Sequence, residues 1–305
     1  MIRIGLIGLG DAGRHHARAL QACRDVEWTA LGTRDPSRAH DVPTGVAVVP
    51  VDELLAGGRC DAIVIATPDG LHADHAARAL ASNHHVLVEK PLATSLTDAQ
   101  ALIDAAGDRV VQVGYQLRHH VGHEMIHARL AELVGTVRSI HVRWAWPDPA
   151  VDGWRARGID ARWWSLAALG THGIDLALWL TGDEVADIVS VRTPPTGIDR
   201  AAEVVFRFTG GALAHVSVAT THRAQPVLAI AGDTGELDAI GTLGARGEGV
   251  IVHRALGATT TLPFVPEDPY LRQLRAFAAR CAGTGPRHDA DAITNVRLLE
   301  SISSP

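Results

Sequence analysis

The chain has 305 residues, of which 47% are hydrophobic, so it is long enough to bury more than one core. Its formal net charge of −6 argues against a nucleic-acid partner, because phosphate binding needs a basic face. Three cysteines without CxxC spacing argue against a disulfide framework or a thiolate zinc site, and they favour a reducing, cytoplasmic location.

The first part of the chain alternates apolar runs with stretches of helical spacing. Residues 2–7 are typical of a buried parallel strand, and residues 12–23 place apolar side chains on one side of a helix. This alternation predicts an α/β Rossmann domain, a doubly wound parallel sheet, over residues 1–117. The other predicted strands are 27–32, 62–66, 86–88 and 110–114, and the other predicted helices are 52–56, 75–82 and 97–106.

After residue 117 the pattern changes to strands in which apolar and polar residues alternate. This pattern predicts a second domain over residues 118–305, with a mainly antiparallel sheet that is covered on one face. The sequence Thr209-Gly210-Gly211 indicates a hairpin turn in that sheet. The predicted strands are 137–146, 188–192, 201–208 and 212–221, and the predicted helices are 166–180 and 269–282.

A GxGxxG motif lies directly between the first predicted strand and the first predicted helix. Gly8 allows the tight turn, Gly10 lets a pyrophosphate approach the backbone, and Gly13 allows the helix to pack closely on the strand. The helix N-terminus at Asp11 and Ala12 then receives the phosphates. The position of the motif, between a strand and a helix, predicts a dinucleotide site.

The end of the second predicted strand indicates which dinucleotide binds. NAD sites place an acidic residue there to bond the ribose hydroxyls, whereas this chain has Thr33 followed by Arg34, with Arg38 nearby. A hydroxyl and a guanidinium suit the 2′-phosphate of NADP, which a carboxylate would repel. The alternative is that both arginines are solvated and Asp35 serves the ribose of NAD.

Three further motifs follow predicted strands, with the sequences IATPDGLH (65–72), VLVEKPLA (86–93) and GYQLR (114–118). Together with the glycine motif, and in this order, they resemble the Gfo/Idh/MocA family, which includes glucose–fructose oxidoreductase and inositol dehydrogenase. The resemblance runs over nearly the whole chain and is strongest through residue 118.

The resemblance implies a Rossmann domain followed by an α/β domain with a large open-faced sheet. It implies that Thr67, Pro68 and His72 lie along the cofactor and that Glu89 and Lys90 lie near the nicotinamide. In this family the open sheet face commonly forms the subunit interface, which implies a homodimer or a homotetramer.

The family also carries a histidine on a helix that faces the nicotinamide, with an aspartate four residues before it. His172 matches the histidine, but Ala168 stands where the aspartate belongs. Hydride transfer to or from an alcohol needs a group that handles the hydroxyl proton, and a histidine does this near neutral pH. Lys90, the only lysine of the chain, can stabilise the developing alkoxide. We therefore predict that Lys90 and His172 are catalytic.

Four further residues are candidates for binding the substrate. Tyr115 and Arg118 follow the last strand of the first domain, Asp175 shares a helical face with His172, and Trp164 can form an aromatic wall for a sugar ring. Each also has a structural interpretation. Tyr115 and Arg118 can cap the strand end, Trp164 can pack in the core, and Asp175 can orient His172 or bond within its domain.

These observations favour an NADP-dependent oxidoreductase acting on a polyol, sugar or cyclitol. One alternative is a lyase or hydrolase that uses tightly bound NAD(P) for transient oxidation, and another is a non-catalytic NADP-binding sensor. No apolar run reaches the roughly 18 residues that a membrane span needs, and the short apolar N-terminus lacks the basic region and cleavage site of a signal peptide. We expect neither a membrane nor a nucleic-acid partner.

One motif points to a different chemistry. Residues 123–127 have the sequence HEMIH, which matches the HExxH signature of zinc proteases. The HxxGxxH extension fails, because Leu130 and Leu133 occupy those positions. We therefore expect no metal and interpret this segment as a polar helix joining the domains. We expect His15 and His16 to be solvated or bonded to backbone.

Overall fold

The computed structural model describes residues 1–39, 41–148, 153–155, 161–192, 198–289 and 291–303. The chain forms two compact units. Unit 1 comprises residues 1–114 and 270–297, and unit 2 comprises residues 115–269 and 298–305. The domain boundary predicted at residue 117 lies shortly after residue 114, where the first segment of unit 1 ends. The sequence analysis did not predict that residues 270–297 belong to unit 1.

Strands and helices are numbered in chain order. In the part of the chain that the structure describes, every helix is too short or too polar to cross a lipid bilayer. The strands are β1 (Ile2–Ile7), β2 (Val26–Gly32), β3 (Ala47–Val49), β4 (Ala62–Ile65), β5 (His85–Val88), β6 (Val111–Val113), β7 (Val137–Ala145), β8 (Val185–Arg192), β9 (Ala201–Phe208), β10 (Leu213–Ala219), β11 (Val227–Gly232), β12 (Glu236–Ile240), β13 (Val250–Ala255) and β14 (Ala258–Leu262). The helices are α1 (Asp11–Ala22), α2 (Val51–Leu55), α3 (His72–Ala81), α4 (Leu96–Ala105), α5 (Val121–Val134), α6 (Thr171–Thr181), α7 (Pro269–Cys281) and α8 (Ala292–Ser303).

Unit 1 is built on a parallel sheet of six strands in the order β3-β2-β1-β4-β5-β6. β4 is buried along its whole length, as expected for a strand with a continuous apolar sequence. The predicted doubly wound Rossmann sheet is confirmed. The strand order reverses between β1 and β4, and ligands bind outside the carboxyl ends of the strands at such a point.

The outer edge of β6 is covered by the C-terminal part of unit 1. The amide of Val111 donates to the carbonyl of Arg287 at 3.0 Å, and the amide of Val113 donates to the carboxylate of Asp289 at 2.7 Å. An uncovered edge offers unpaired backbone groups to other chains. Residues 287–289 therefore complete this sheet.

Unit 2 contains a sheet of eight strands in the order β14-β13-β12-β11-β7-β10-β9-β8. Neighbouring strands are antiparallel except β7 and β10, which run parallel. Along β9 buried residues alternate with exposed or partly exposed ones, so one face packs in the core and the other is open. The predicted open-faced, mainly antiparallel sheet is confirmed, and the hairpin at residues 209–211 joins β9 to β10.

Helix α6 lies close to the sheet because Gly173 has no side chain. A Cβ there would lie 2.9 Å from a methyl group of Val216 and 3.1 Å from one of Val142. A π-helical turn, Leu166–Gly170, leads directly into α6. The single helix predicted over residues 166–180 is therefore a π-helical turn followed by an α-helix.

The HExxH segment lies in α5, but the prediction of a polar helix is wrong because one side of α5 is buried. His123 is fully buried, with Nδ1 at 2.9 Å from the Leu117 carbonyl and Nε2 at 2.9 Å from the Thr242 hydroxyl. Burial lowers the pKa of His123 to about 3, so the ring is neutral. The ring of His127 stacks on Trp179 at 4.2 Å. The two histidines thus serve packing within unit 2.

Candidate active site

The three glycines of the turn after β1 have three different geometries. Gly8 has a φ of +95°, and a Cβ there would lie 2.4 Å from the carbonyl oxygen of Ala66. A Cβ on Gly13 would lie 2.2 Å from the carbonyl oxygen of Gly8, so glycine lets α1 pack this close to the turn. A Cβ on Gly10 would meet nothing within 4 Å. The backbone at Gly10 is therefore open to a ligand.

The first turn of α1 presents its amides at the same place. Gly10 is the N-cap residue, and no side chain caps the helix there. The side chain of Asp11 is fully exposed, and Ala12 is partly buried. A helix N-terminus carries partial positive charge on amides that bind phosphate. The turn and the helix therefore fit the pyrophosphate of a dinucleotide.

The end of β2 forms a local network of hydrogen bonds. The Thr33 hydroxyl accepts the amide of Asp35 at 3.1 Å. The Asp35 carboxylate accepts the amide and the hydroxyl of Ser37 at 3.1 and 2.5 Å. Arg34 is exposed beside them, and the backbone of Arg38 lies in the following 3-10 turn, while its side chain lies outside the described part of the structure. Ser37 therefore engages one oxygen of Asp35, Oδ1.

His72 connects the segments that follow β4 and β5. Its Nδ1 lies 2.7 Å from the Pro91 carbonyl, and its Nε2 lies 3.0 Å from the Thr67 carbonyl. The Thr67 hydroxyl lies 3.2 Å from Nδ1 of His75, and burial lowers the pKa of His75. Pro68 begins the turn that leads into α3. Because both nitrogens of His72 face backbone carbonyls and the ring is buried, it acts within the protein rather than directly on a ligand.

Glu89 and Lys90 follow β5, where the carboxylate of Glu89 is buried. His16 Nε2 lies 2.9 Å from one oxygen of Glu89, and the amide of Lys90 donates to the other at 3.2 Å. A Cβ on Gly114 would lie 3.0 Å from Glu89. The peptide between Lys90 and Pro91 is cis. The expectation of a solvated or backbone-bonded His16 is wrong, because its ring is buried against this carboxylate.

In unit 2, His172 lies in the first turn of α6 among aromatic rings. Tyr115 meets it edge-on with ring centroids 6.1 Å apart, and Trp144 lies at a centroid distance of 5.6 Å. The Tyr115 and Thr171 hydroxyls are hydrogen-bonded at 2.8 Å. His172 is buried. These contacts fix the start of α6 and the direction of the imidazole.

Asp175 and Arg118 form a bidentate ion pair next to this cluster. The Arg118 guanidinium donates to the two carboxylate oxygens of Asp175 at 2.9 and 2.6 Å. The Asp175 side chain is 1% exposed and that of Arg118 is 17% exposed. Arg118 also lies over the Tyr115 ring at 5.9 Å. This geometry favours the interpretation that Asp175 bonds within its own domain over direct contact with the substrate.

Trp164 is packed against its neighbours, which favours the alternative of core packing over the predicted aromatic wall. The residue is 3% exposed, with Arg200 lying 4.0 Å from its ring centroid. Its indole nitrogen donates to Asp148 at 3.2 Å. Trp163 is buried as well. Packing is the role that the geometry supports for both tryptophans.

Asp199 anchors the N-terminal side of the π-helical turn. Its carboxylate accepts the amides of Trp164 and Leu166, each at 2.7 Å, and the Ser165 hydroxyl at 2.5 Å. Asp199 lies just before β9, so this contact ties the start of the helical segment to the sheet. Ala168 lies inside the turn and is partly buried.

The structure thus assembles two sets of residues, one in each unit. In unit 1 the glycine turn, Thr67, Glu89 and Lys90 lie beyond the carboxyl ends of β1, β4 and β5. In unit 2, Tyr115, Arg118, His172 and Asp175 form one connected cluster. Sequence reasoning missed His16, Thr171 and Asp199. For His16 a signal existed, because it lies three residues after Gly13 and four before Leu20, at the spacing of the buried helix face.

Comparison with known families agrees with this arrangement. The model for "Oxidoreductase family, NAD-binding Rossmann fold" of the Gfo/Idh/MocA group matches residues 2–117. The model for "GFO/IDH/MocA C-terminal domain" matches residues 124–238.

Individual relatives cover almost the full chain. A 1,5-anhydro-D-fructose reductase of Ensifer adhaerens is 26% identical, with 93% of this chain and 90% of that protein covered. A D-xylose 1-dehydrogenase (NADP(+)) of Haloferax volcanii is 25% identical, with 98% and 95% covered. A 3-ketoreductase of Actinomadura kijaniata, crystallised with NADP and TDP-benzene, has a similar fold with a TM-score of 0.87, 23% identity, and 98% and 96% covered. Together with the two family models, these findings make the chain a member of the Gfo/Idh/MocA family of oxidoreductases, with an NAD-binding Rossmann domain.

Proposed function

We propose that this oxidoreductase uses NADP to transfer a hydride to or from a carbon of a sugar, cyclitol or related polyol. The observation that carries the proposal is the turn at Gly8, Gly10 and Gly13, whose open backbone and uncapped helix suit a pyrophosphate. The relatives named above act on anhydrofructose and xylose, which supports the substrate class.

The preference for NADP rests on the end of β2. Thr33 stands where NAD sites place an acid, and one oxygen of the Asp35 carboxylate, Oδ1, is bonded to Ser37. Arg34 is exposed there and supplies a guanidinium for a 2′-phosphate. The xylose dehydrogenase of Haloferax volcanii carries NADP in its name, which agrees with this preference.

The bound nicotinamide supplies the hydride donor or acceptor. Lys90 donates a hydrogen bond from its ammonium group to the substrate oxygen and stabilises the negative charge that develops there. His172 takes the proton from the hydroxyl during oxidation and returns it during reduction. The proposal requires both side chains to reach one substrate, and Ala168 means that no carboxylate four residues before His172 assists them.

The residues around His172 act as its support. Arg118 occupies both oxygens of Asp175, and Tyr115 is bonded to Thr171. We therefore propose that Tyr115, Arg118 and Asp175 hold the start of α6 in place and contact substrate only at its margin. This arrangement leaves the imidazole of His172 as the proton-transferring group of unit 2.

We propose a cytoplasmic protein that acts on small molecules and forms a homodimer or homotetramer through the open sheet face of unit 2. The free cysteines Cys23, Cys60 and Cys281 support a reducing compartment. Burial raises the pKa of Cys60 to about 11, which keeps that thiol unreactive at neutral pH.

The first test is a titration with NADP and with NAD, followed by a panel of polyols and ketoses monitored at the nicotinamide absorbance. We expect NADP to bind at least about tenfold more tightly, the value of one charge-assisted contact. The double variant Thr33→Asp/Arg34→Ala should reverse the preference, whereas Arg24→Ala, on the exposed surface, should leave it unchanged. Tighter binding of NAD to the unmodified protein contradicts the proposal.

The second test concerns the two catalytic candidates. Lys90→Met and His172→Gln should each lower kcat by roughly 10²–10³-fold. In the double variant the losses should be less than multiplicative, because groups that act on one substrate oxygen are not independent. Product formation without net use of NADP identifies the lyase or hydrolase alternative, and NADP binding without any turnover identifies the sensor.

A further inference from the structure

Two buried histidines contact the turn that carries Lys90, His16 through the residue before the lysine and His72 through the residue after it. We propose that His16 and His72 are positioning residues that fix this turn, with His16 linking it to the helix of the cofactor site. This inference rests on the proposed function, because it assigns the two histidines an effect on Lys90. It concerns residues of unit 1 alone.

The first contact lies before Lys90 in the sequence. His16 is on α1, and its Nε2 bonds one oxygen of Glu89 at 2.9 Å. The other oxygen of Glu89 accepts the amide of Lys90 at 3.2 Å. The carboxylate is thus bonded through both oxygens, and it transmits the position of α1 to the backbone of Lys90.

The second contact lies after Lys90. Nδ1 of His72 lies 2.7 Å from the carbonyl oxygen of Pro91, and its Nε2 lies 3.0 Å from the carbonyl oxygen of Thr67. A ring with one N–H donates to only one of these carbonyls, and the shorter distance favours the Pro91 oxygen, so His72 holds the residue after Lys90. The two histidines fix the residues on either side of Lys90 independently of one another.

Close packing restricts rotation of the His16 and Glu89 side chains. A Cβ on Gly114 would lie 3.0 Å from the carboxylate of Glu89. The ring of Tyr270 meets His16 edge-on with centroids 5.1 Å apart. Because His16 and His72 are each 1% exposed, they act through the turn and not directly on a substrate.

The experiment uses Lys90 as a reporter, because it is the only lysine of the chain. We compare His16→Leu, which removes the hydrogen bond, with His16→Gln, whose amide nitrogen replaces Nε2. The readouts are hydrogen exchange of the peptide containing Lys90 and the rate of amine labelling at Lys90, both followed by mass spectrometry. His15→Leu is the matched control, because His15 stacks on Tyr270 from the same helix.

We expect His16→Leu to accelerate exchange and labelling at Lys90 several-fold, without a general rise in exchange across unit 1. It should also lower kcat by about 10–100-fold while the dissociation constant of NADP changes little, since the glycine turn is intact. His16→Gln should restore all of these values, and His15→Leu should behave like the unmodified protein. If His16→Leu does not fold, His16→Asn serves instead, because its shorter side chain does not reach Glu89.

The same comparison applies to His72. His72→Leu should accelerate labelling of Lys90, and His72→Asn, whose amide replaces Nδ1 toward Pro91, should restore it. Unchanged exchange and labelling in His16→Leu and His72→Leu, or failure of His16→Gln and His72→Asn to restore them, overturns the inference. Exchange and labelling need no substrate, so a protein that fails every turnover assay but shows these effects contradicts the proposed function and not the positioning role.

Discussion

Gly10 and Gly13 of the cofactor turn differ in what requires a glycine there. Gly13 faces the Gly8 carbonyl, so an added Cβ collides with backbone that cannot move aside without opening the turn. Gly10 faces open space and has a φ of −70°, which any residue adopts. The fold therefore requires a glycine at position 13, whereas at position 10 only a bound ligand requires one.

Alanine substitutions should separate these two requirements. We expect Gly13→Ala to lower the thermal midpoint of unfolding clearly, because its Cβ would lie 2.2 Å from a carbonyl oxygen. Gly10→Ala should leave the midpoint unchanged but weaken NADP binding, with a loss of about 1–3 kcal/mol if a phosphate contact to the backbone is lost. Differential scanning fluorimetry and calorimetric titration measure the two effects. Equal destabilisation by both variants would show that this distinction is wrong.

At the scale of elements, the buried ion pair between Arg118 and Asp175 joins the turn after β6 to α6. Removing one partner of such a pair leaves a charge with little access to water, and this costs more than the pair itself contributes. The exposed pair between Arg207 and Asp187, also bidentate with both distances at 3.1 Å, provides a comparison in the same unit.

We therefore expect Asp175→Asn to lower the free energy of unfolding by about 3 kcal/mol. Asp187→Asn should change it by less than about 1 kcal/mol, because both side chains of that pair are about half exposed. Urea denaturation of the two variants measures the difference. A similar small effect in both would mean that Arg118 finds another partner when Asp175 is altered.

The elements that sequence reasoning predicted well are those with a local signal. β1 is a continuous apolar run ended by a glycine motif, and α7 repeats apolar residues at helical spacing. β14 was missed because four of its residues, from Ala258 to Thr261, are exposed and carry little apolar pattern. β3 was missed because only three residues form it. β11, β12, β13 and α8 were also not predicted. Short or solvated strands such as β3 and β14 form through their neighbours, which a local pattern does not reveal.

The same distinction applies to the candidate site. The glycine turn and the position of Lys90 after β5 follow from short motifs within single segments. The pairing of Arg118 with Asp175, and of His16 with Glu89, joins residues that are 57 and 73 positions apart. No spacing rule connects such residues, because the fold as a whole brings them together. Asp175 and Trp164 were therefore considered for the substrate, whereas the structure engages them within unit 2.

At the scale of the whole molecule, buried neutral histidines make stability depend on pH. The folded pKa of His123, about 3, lies below the value of 6.5 for an exposed histidine. As the pH falls below 6.5, the unfolded chain therefore takes up a proton that the folded chain does not. This lowers the free energy of unfolding by about 1.4 kcal/mol per pH unit for one such group.

We expect the free energy of unfolding to fall by about 2 kcal/mol between pH 6.5 and pH 5 through His123 alone. His123→Asn keeps a donor toward Leu117 but does not titrate, so its stability should be lower at neutral pH and should depend less on pH. His222→Asn, at an exposed position, should leave the pH dependence unchanged. Urea denaturation at several pH values provides the measurement, and an unaltered slope in His123→Asn would refute this explanation.

The open face of the sheet in unit 2 is the surface that we propose to join subunits. Val227 on β11 pairs with Arg143 on β7 and lies on this face, next to residues whose side chains are partly exposed. Val227→Arg should shift the sedimentation coefficient toward that of a monomer, because it places a second positive charge opposite Arg143 in the contact. Val265→Arg, at a position that is 81% exposed, should not. An unmodified protein that sediments as a monomer contradicts the proposal.

A Rossmann fragment that ends at the predicted domain boundary would lose the cover that residues 287–289 provide for β6. A fragment that stops at residue 117 would contain every strand of the Rossmann sheet but would leave the amides of Val111 and Val113 without their acceptors. Such a fragment would have a free parallel edge on which another copy could add a strand, so it should precipitate at concentrations that the intact chain tolerates. Fusing residues 270–297 back onto it through a flexible linker should restore solubility, because that segment would again occupy the edge.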